Sequence, residues 1–138
     1  MGSFEIFSHT ADVGLRMRAD SRDELFRQAA LGLFTLIATN LDAVQPRHVV
    51  TYDIEGEQAD FLLFDWLSEL LFTFEAQHLL LSEFEVETDE RGLKAVARGE
   101  VADPTRHHLE HEVKAITYHG LEVRETEGRW SAEVVVDI

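Results

Sequence analysis

The N-terminal stretch FEIFSHTADVGLRMRA, residues 4–19, carries reactive side chains inside a segment that otherwise resembles a β-strand. His9, Thr10 and Asp12 bring an imidazole, a hydroxyl and a carboxylate within four residues. Such a set could form an acid–base pair or bind a cation. The alternative is a strand edge or bulge whose polar groups bond to the local backbone. Neither Ser8 nor Thr10 lies in a recognisable nucleophile motif, so the stretch gives little support for an enzyme.

A second group of charges lies at the end of the sequence, in Asp137 and Ile138. The final residues alternate as a strand, which puts Asp137 on the face opposite to Ile138. Ile138 is expected to supply the terminal carboxylate, so two negative groups lie one residue apart. Ca²⁺ and Mg²⁺ prefer oxygen ligands of this kind. The alternative is a solvated strand end whose repulsion is eased by an arginine or by water.

The third candidate is the histidine cluster HHxxxH, formed by His107, His108 and His111. In a helix, His107 and His111 would share a face and could bind zinc. Pro104 and the polar neighbours favour a loop instead, with the histidines in solvent.

The composition restricts the classes of function. The 138-residue chain has no cysteine, which excludes disulfides, thiolate nucleophiles and Cys–zinc sites. Its net charge of −15 opposes direct non-specific nucleic-acid binding, which depends on Lys and Arg. A hard cation or a basic protein partner suits such a surface, although excess acid also serves solubility alone. Because neither a membrane-spanning run nor a signal-peptide pattern is visible, we expect a cytoplasmic protein without membrane contact.

Hydrophobic periodicity predicts the elements in the first half of the chain. Residues 13–19 alternate as a strand. Ser21 and Glu24 form a capping-box signature before a helix that Asn40, Asp42 and Pro46 are predicted to close. Residues 48–55 are predicted to form a further strand.

A second helix is predicted over residues 60–77, with Asp60 as its cap. Mostly strands follow, in hairpins that turn at residues 89–92 and 127–128, with a bulge at Gly120. The order of elements predicts an α+β fold: a single domain over residues 1–138 with two helices packed on a largely antiparallel β-sheet system. Because the second helix is apolar almost all round, it is expected in the core, with a partner-binding face as the alternative.

Three segments together resemble the archease family over essentially the whole chain. They are SHTADVGLRMRADSRDELFRQAALGLF near the start, WLSELLF in the second helix and EVKAITYHGLEV…W…VVVDI at the end. The HTAD–G segment, the VKA–T–YH segment and the final DI are specific in combination.

The resemblance implies a function that composition does not reveal. Archeases are small acidic accessory proteins of tRNA processing. They activate the GTP-dependent tRNA-splicing RNA ligase by promoting its guanylylation and multiple turnover. The resemblance implies a divalent cation, Ca²⁺ first and Mg²⁺ or Mn²⁺ as alternatives, at Asp12, Asp137 and Ile138, with His9 as a neighbour. Lys114 is a candidate partner contact, and its alternative role is that of a solvated strand side chain.

A cation between Asp12 and Asp137 would explain why a strand-like segment at the start of the chain carries polar residues. Adjacent strands could bring the two carboxylates together, and two charges about 4 Å apart repel by ~1–4 kcal/mol. Two other functions remain open. One is a chaperone-like adaptor that modulates a tRNA methyltransferase, and the other is a metal-dependent hydrolase that uses His9 and Asp12.

Overall fold

The computed structural model describes residues 1–9 and 12–138. In these residues the chain forms eight strands, two α-helices and one 3-10 turn at Leu41–Ala43. The helices are α1 (Arg22–Ile37) and α2 (Ala59–Gln77). The strands are β1 (Gly2–His9), β2 (Asp12–Ala19), β3 (His48–Glu55), β4 (Leu79–Asp89), β5 (Gly92–Val101), β6 (Ala115–Ile116), β7 (Glu122–Thr126) and β8 (Arg129–Asp137). The predicted α+β fold is confirmed.

The strands form two antiparallel sheets that differ in chain origin. The large sheet has the order β1-β2-β8-β6, and β7 pairs with the other end of β8. Its strands come from residues 2–19 and 115–137, so both ends of the chain contribute. The small sheet has the order β3-β5-β4 and uses residues 48–101.

Helix α1 packs against strands of both sheets and carries much of the core. The predicted cap of α1 is confirmed: Ser21 Oγ accepts a hydrogen bond from the Glu24 N–H at 3.1 Å. Phe26 and Phe34 are fully buried on its apolar face. The indole Nε1 of Trp66 in α2 donates to the Phe26 carbonyl oxygen at 3.0 Å. This bond joins the two helices inside the core.

Helix α2 buries one apolar side in the core, whereas Phe61 and Phe72 are exposed, so the predicted burial on most sides is only partly confirmed. Asp60 is not its cap. Gln58 occupies the N-cap position, and no side chain bonds there. Asp60 lies in the first turn, where its Oδ1 accepts from the Val123 N–H of β7 at 2.6 Å. The carboxylate therefore ties α2 to the large sheet instead of to its own backbone. Neither helix in the described part of the chain is long and apolar enough to cross a membrane.

The segment 4–19 is not one strand. It forms the antiparallel pair β1 and β2, with His9 and Asp12 as the last backbone partners. Thr10 and Ala11 lie outside the described residues. The bulge predicted at Gly120 is also wrong: Gly120 has φ +67° and lies in the connection that separates β6 from β7. A left-handed glycine there turns the chain where a continuous strand was predicted.

Both predicted hairpin turns are confirmed. At the first, Asp89 Oδ1 accepts from the N–H groups of Arg91 and Gly92 at 2.7 and 3.1 Å. At the second, Glu127 and Gly128 both have positive φ, at 53° and 79°. Two successive left-handed residues are typical of the tight turn that matches the twist of a hairpin.

A buried ion-pair cluster holds the loop between β5 and β6. The Glu100 side chain is 5% exposed and accepts from Arg106 Nη2 at 2.6 Å and from the Gln45 N–H at 2.8 Å. His107 Nε2 lies 3.1 Å from the same carboxylate. His107 Nδ1 accepts from the Asp103 N–H at 2.8 Å. Since a backbone N–H only donates, Nε2 carries the imidazole proton and donates to Glu100.

The expectation of three solvated histidines is therefore wrong for His107, which is 1% exposed. His108 is exposed and His111 is partly exposed. The predicted loop is correct, but His107 anchors it through its contacts with Glu100 and the Asp103 N–H. This role depends on a partner seven residues away and cannot be inferred from the HHxxxH pattern.

Replacing Leu70 by Ala should lower the free energy of unfolding by about 2–5 kcal/mol, because the side chain is fully buried. Urea unfolding followed by circular dichroism measures the loss. Phe72→Ala on the same helix is the control, since Phe72 is 66% exposed and its loss should cost little. A loss below about 1 kcal/mol for Leu70→Ala would contradict the packing described here.

Glu100 should make stability depend on acid. Hydrogen bonds from Arg106, from the Gln45 N–H and from His107 lower the pKa of Glu100 from 4.5 to about 2. The unfolded chain thus takes up this proton first, so the stabilisation exists above pH 4.5 and is lost as the pH falls towards 2. In urea unfolding, the difference in stability between wild type and Glu100→Gln should shrink over this range. A difference that stays constant with pH would refute the lowered pKa of Glu100. Glu90→Gln, on an exposed turn, is the control.

Candidate functional site

The carboxylates of Asp12 and Asp137 meet at one end of the large sheet. Asp12 begins β2, Asp137 ends β8, and the register makes them direct partners. Directly opposed residues on antiparallel strands have Cβ atoms about 4.5–5.5 Å apart and project from the same face. The structure thus brings together two predicted site residues from opposite ends of the sequence.

The same cross-strand row continues onto the neighbouring strands. His9 is the backbone partner of Asp12, and Ala115 is the backbone partner of Asp137. Four strands therefore present one residue each at this end of the sheet. We call Asp12 and Asp137, with Ile138 beside them, the carboxylate row. Asp137 is exposed, whereas Asp12 is partly buried.

An apolar layer adjoins the carboxylate row. Phe7, Gly14 and Val135 form the next described row on the same face. The Phe7 ring covers Gly14 so closely that an added Cβ would lie 2.1 Å from its Cζ atom. Only glycine leaves room for this ring. Val135 is buried, so the carboxylates border a surface that holds little water.

Arg16 is the next cation along this face of β2, and it is already neutralised. Its guanidinium donates to Glu5 Oε1 at 2.9 Å and to Glu133 Oε1 at 2.6 Å. These hydrogen bonds raise the pKa of Arg16 above its ordinary value. Its Cζ atom also lies 4.6 Å from the centroid of the Phe7 ring. Within the described residues, Asp137 has no ion pair with Arg16 or any other cation.

Ile138 and Lys114 both lie beside Asp137. Ile138 follows it directly and packs, partly buried, against the hydrophobic core. The Lys114 N–H donates to the backbone oxygen of Asp137 at 2.7 Å, which holds the start of β6 against the end of β8. The Lys114 side chain is exposed. The predicted partner contact is therefore at the same end of the sheet as the carboxylates.

The donor set of this row suits a hard divalent cation. Two carboxylates project from one face, and Ile138 follows Asp137 directly in the chain. Ca²⁺ takes about six to eight oxygen ligands, so water or a partner would complete its shell. Among the side chains that the structure describes, no group of three or more His, Asp or Glu able to hold a metal occurs. A cation here would therefore be only partly enclosed by the described side chains.

An aromatic contact that no sequence pattern predicts lies on helix α2. The ring of Tyr118 stacks on Phe64 with centroids 3.9 Å apart and meets the edge of Phe61 at 5.8 Å. Phe61 and Tyr118 are 52% and 54% exposed. The sequence does indicate that some apolar residues of α2 are exposed, because the helix has more of them than one buried stripe can hold. The contact with Tyr118 depends on tertiary structure.

Relatives of known sequence cover the whole chain. The archease protein family matches residues 4–138, which include both Asp12 and Asp137. Protein archease of Methanopyrus kandleri is 47% identical over 98% of this chain and 99% of its own. Protein archease of Pyrococcus abyssi is 41% identical over the full length of both chains.

Solved structures agree in fold. The solution structure of protein 1598 from Methanobacterium thermoautotrophicum has a TM-score of 0.87 at 34% identity and covers 98% of each chain. A crystal structure of an archease from Thermotoga maritima has a TM-score of 0.69 and covers 97% of this chain and 96% of its own. At 18% identity, this second likeness concerns the fold alone. By its sequence match over residues 4–138 and its full-length relatives, the chain belongs to the archease family.

Proposed function

We propose that this protein is a non-catalytic accessory protein that activates the GTP-dependent tRNA-splicing RNA ligase. In this proposal a divalent cation is held at Asp12, Asp137 and Ile138. The observation that carries it is the in-register opposition of Asp12 and Asp137 on β2 and β8. Two like charges are kept side by side at one end of the large sheet, and a dication would stabilise that arrangement.

The residues of this end of the sheet have distinct parts in the proposal. Asp12 and Asp137 hold and orient the cation, and the layer of Phe7 over Gly14 keeps water from one side. When bound, the cation supplies a positive centre that oxygen atoms of a partner can contact. Lys114 adds a second positive charge nearby for the partner to meet. The exposure of Asp137 supports contact with a large partner, because the row is open to solvent.

The net charge supports a protein partner over RNA. A charge of −15 repels a phosphate backbone but attracts the basic surface on which an RNA ligase binds its substrate. Opposite charges accelerate the encounter of two proteins and are screened by salt. In this proposal the two proteins meet in the cytoplasm.

A second candidate function is a chaperone-like adaptor, with a tRNA methyltransferase as its partner. The archease of Thermotoga maritima is described as a possible chaperone. Phe61 and Phe72 are 52% and 66% exposed on α2, and exposed aromatic residues favour protein binding. Prevention of aggregation of unrelated proteins would favour this candidate over the ligase activator.

Calcium binding tests the carboxylate row directly. Asp137→Asn and Asp12→Asn should each weaken Ca²⁺ binding in calorimetry by about tenfold or more, because each removes one charged oxygen ligand. Asp42→Asn, at an exposed position of the 3-10 turn, should bind like the wild type. Unchanged affinity in both row variants, with the circular dichroism spectrum unaltered, would rule out the site as drawn.

Ligase activation tests the function. Added to the ligase of the same organism, the wild type should increase guanylylation and the number of ligation turnovers. Activation should decrease as salt rises, because charge steering is screened beyond about 8 Å at physiological ionic strength. Asp12→Ala and Asp137→Ala should fold yet fail to activate. Wild-type rates in both variants would make the row structural only, and no activation by the wild type would refute the function.

A further inference from the structure

One surface of helix α2 is not covered by the rest of the protein. We define the α2 face as Phe61, Asp65, Phe72 and Glu75 of the helix, together with Tyr118 beside it. The three aromatic side chains are 52%, 66% and 54% exposed in the order Phe61, Phe72 and Tyr118. At about 100° and 1.5 Å per residue, Phe61 and Phe72 point in nearly the same direction about 16 Å apart. The exposed rings therefore form one stripe along the helix.

The charge on this helix has a single sign. Helix α2 contains the four carboxylates of Asp60, Asp65, Glu69 and Glu75, and no lysine or arginine. Asp60 is engaged with β7, whereas the other three form no ion pair in the described part of the chain. Glu75 lies in the last turn, where the helix dipole is itself negative and a cation would be favourable. This end of α2 lacks the positive charge that would stabilise it.

The α2 face offers aromatic rings next to carboxylates, the combination that an arginine contacts elsewhere in the molecule. On the large sheet, Arg16 packs over the ring of Phe7 while it donates to Glu5. On α2, Phe72 and Glu75 are three residues apart, so their side chains are neighbours. An arginine could cover the ring and bond the carboxylate at once, with about 0.5–2 kcal/mol from the cation–π contact. No such arginine comes from the described residues of this chain.

We infer that the α2 face docks a basic protein surface whose arginine or lysine side chains pack on the exposed rings and pair with the flanking carboxylates. This inference rests on the proposed function, in which that surface belongs to the ligase. A second copy of this chain is a poor occupant, because two acidic faces would repel each other. Docking and activation are thereby assigned to different places: the α2 face binds the ligase and the carboxylate row acts on it.

Binding of the protein to the immobilised ligase of the same organism tests the assignment. Phe72→Ser and Glu75→Lys should each raise the measured dissociation constant by about tenfold or more. Neither change should harm the fold, since Phe72 is exposed and a lysine suits the helix C-terminus. Val49→Ser, which removes another exposed apolar side chain, and Glu90→Lys, with the same change in net charge, are the matched controls and should bind within about twofold of wild type.

The carboxylate row provides the separating variant. Asp137→Asn should fail to activate even at concentrations that saturate the ligase, whereas Phe72→Ser and Glu75→Lys should regain activation at those concentrations. Wild-type affinity in both Phe72→Ser and Glu75→Lys, with activation retained, would overturn the α2 assignment and leave the proposed function standing. Absence of binding by the wild type would overturn both. A wild-type dimer in size-exclusion chromatography that Phe72→Ser converts to a monomer would identify a second copy as the occupant and overturn the inference.

Discussion

The pairing of β2 with β8 is the interaction on which the rest of the structure depends. It joins the two ends of the chain, and β8 then supports β6 and β7. A slip of one residue would turn Val134 and Val136 out of the core and move Asp137 to the opposite face from Asp12. The register that buries these valines therefore also creates the carboxylate row. Core packing and the candidate site are enforced by the same hydrogen bonds.

Local features were predictable where their causes are local. Ser21 caps α1 because its hydroxyl needs only the Glu24 N–H three residues on. Asp89 forms its turn by accepting from the N–H groups two and three residues on. The pairing of β1 with β2 was not predicted, because the sequence between the two strands contains neither glycine nor asparagine, the strongest turn signals. Asp60 failed as a cap because a distant N–H, that of Val123, competes for its carboxylate.

The candidate site was only partly predictable, because it depends on partners that are distant in the sequence. Asp12 and Asp137 each have the right chemistry, but strand alternation says nothing about which strands pair. The resemblance to a family linked them, and the backbone register supplies the physical link. His107 was wrongly predicted: its polar neighbours indicate a solvent-exposed loop, yet its side chain is buried against Glu100. A buried carboxylate needs several donors, and which ones it recruits is a matter of tertiary structure.

The chain order of the two sheets has a consequence for assembly. The small sheet and α2 come from one continuous segment between residues 48 and 101, whereas the large sheet must close residue 12 against residue 137. Closing a longer loop costs more chain entropy, so we expect the central segment to form early and the large sheet to close late. The carboxylate row would then exist only in molecules that have completed folding. A partner that recognises the row would thereby distinguish finished copies of this protein from unfinished ones.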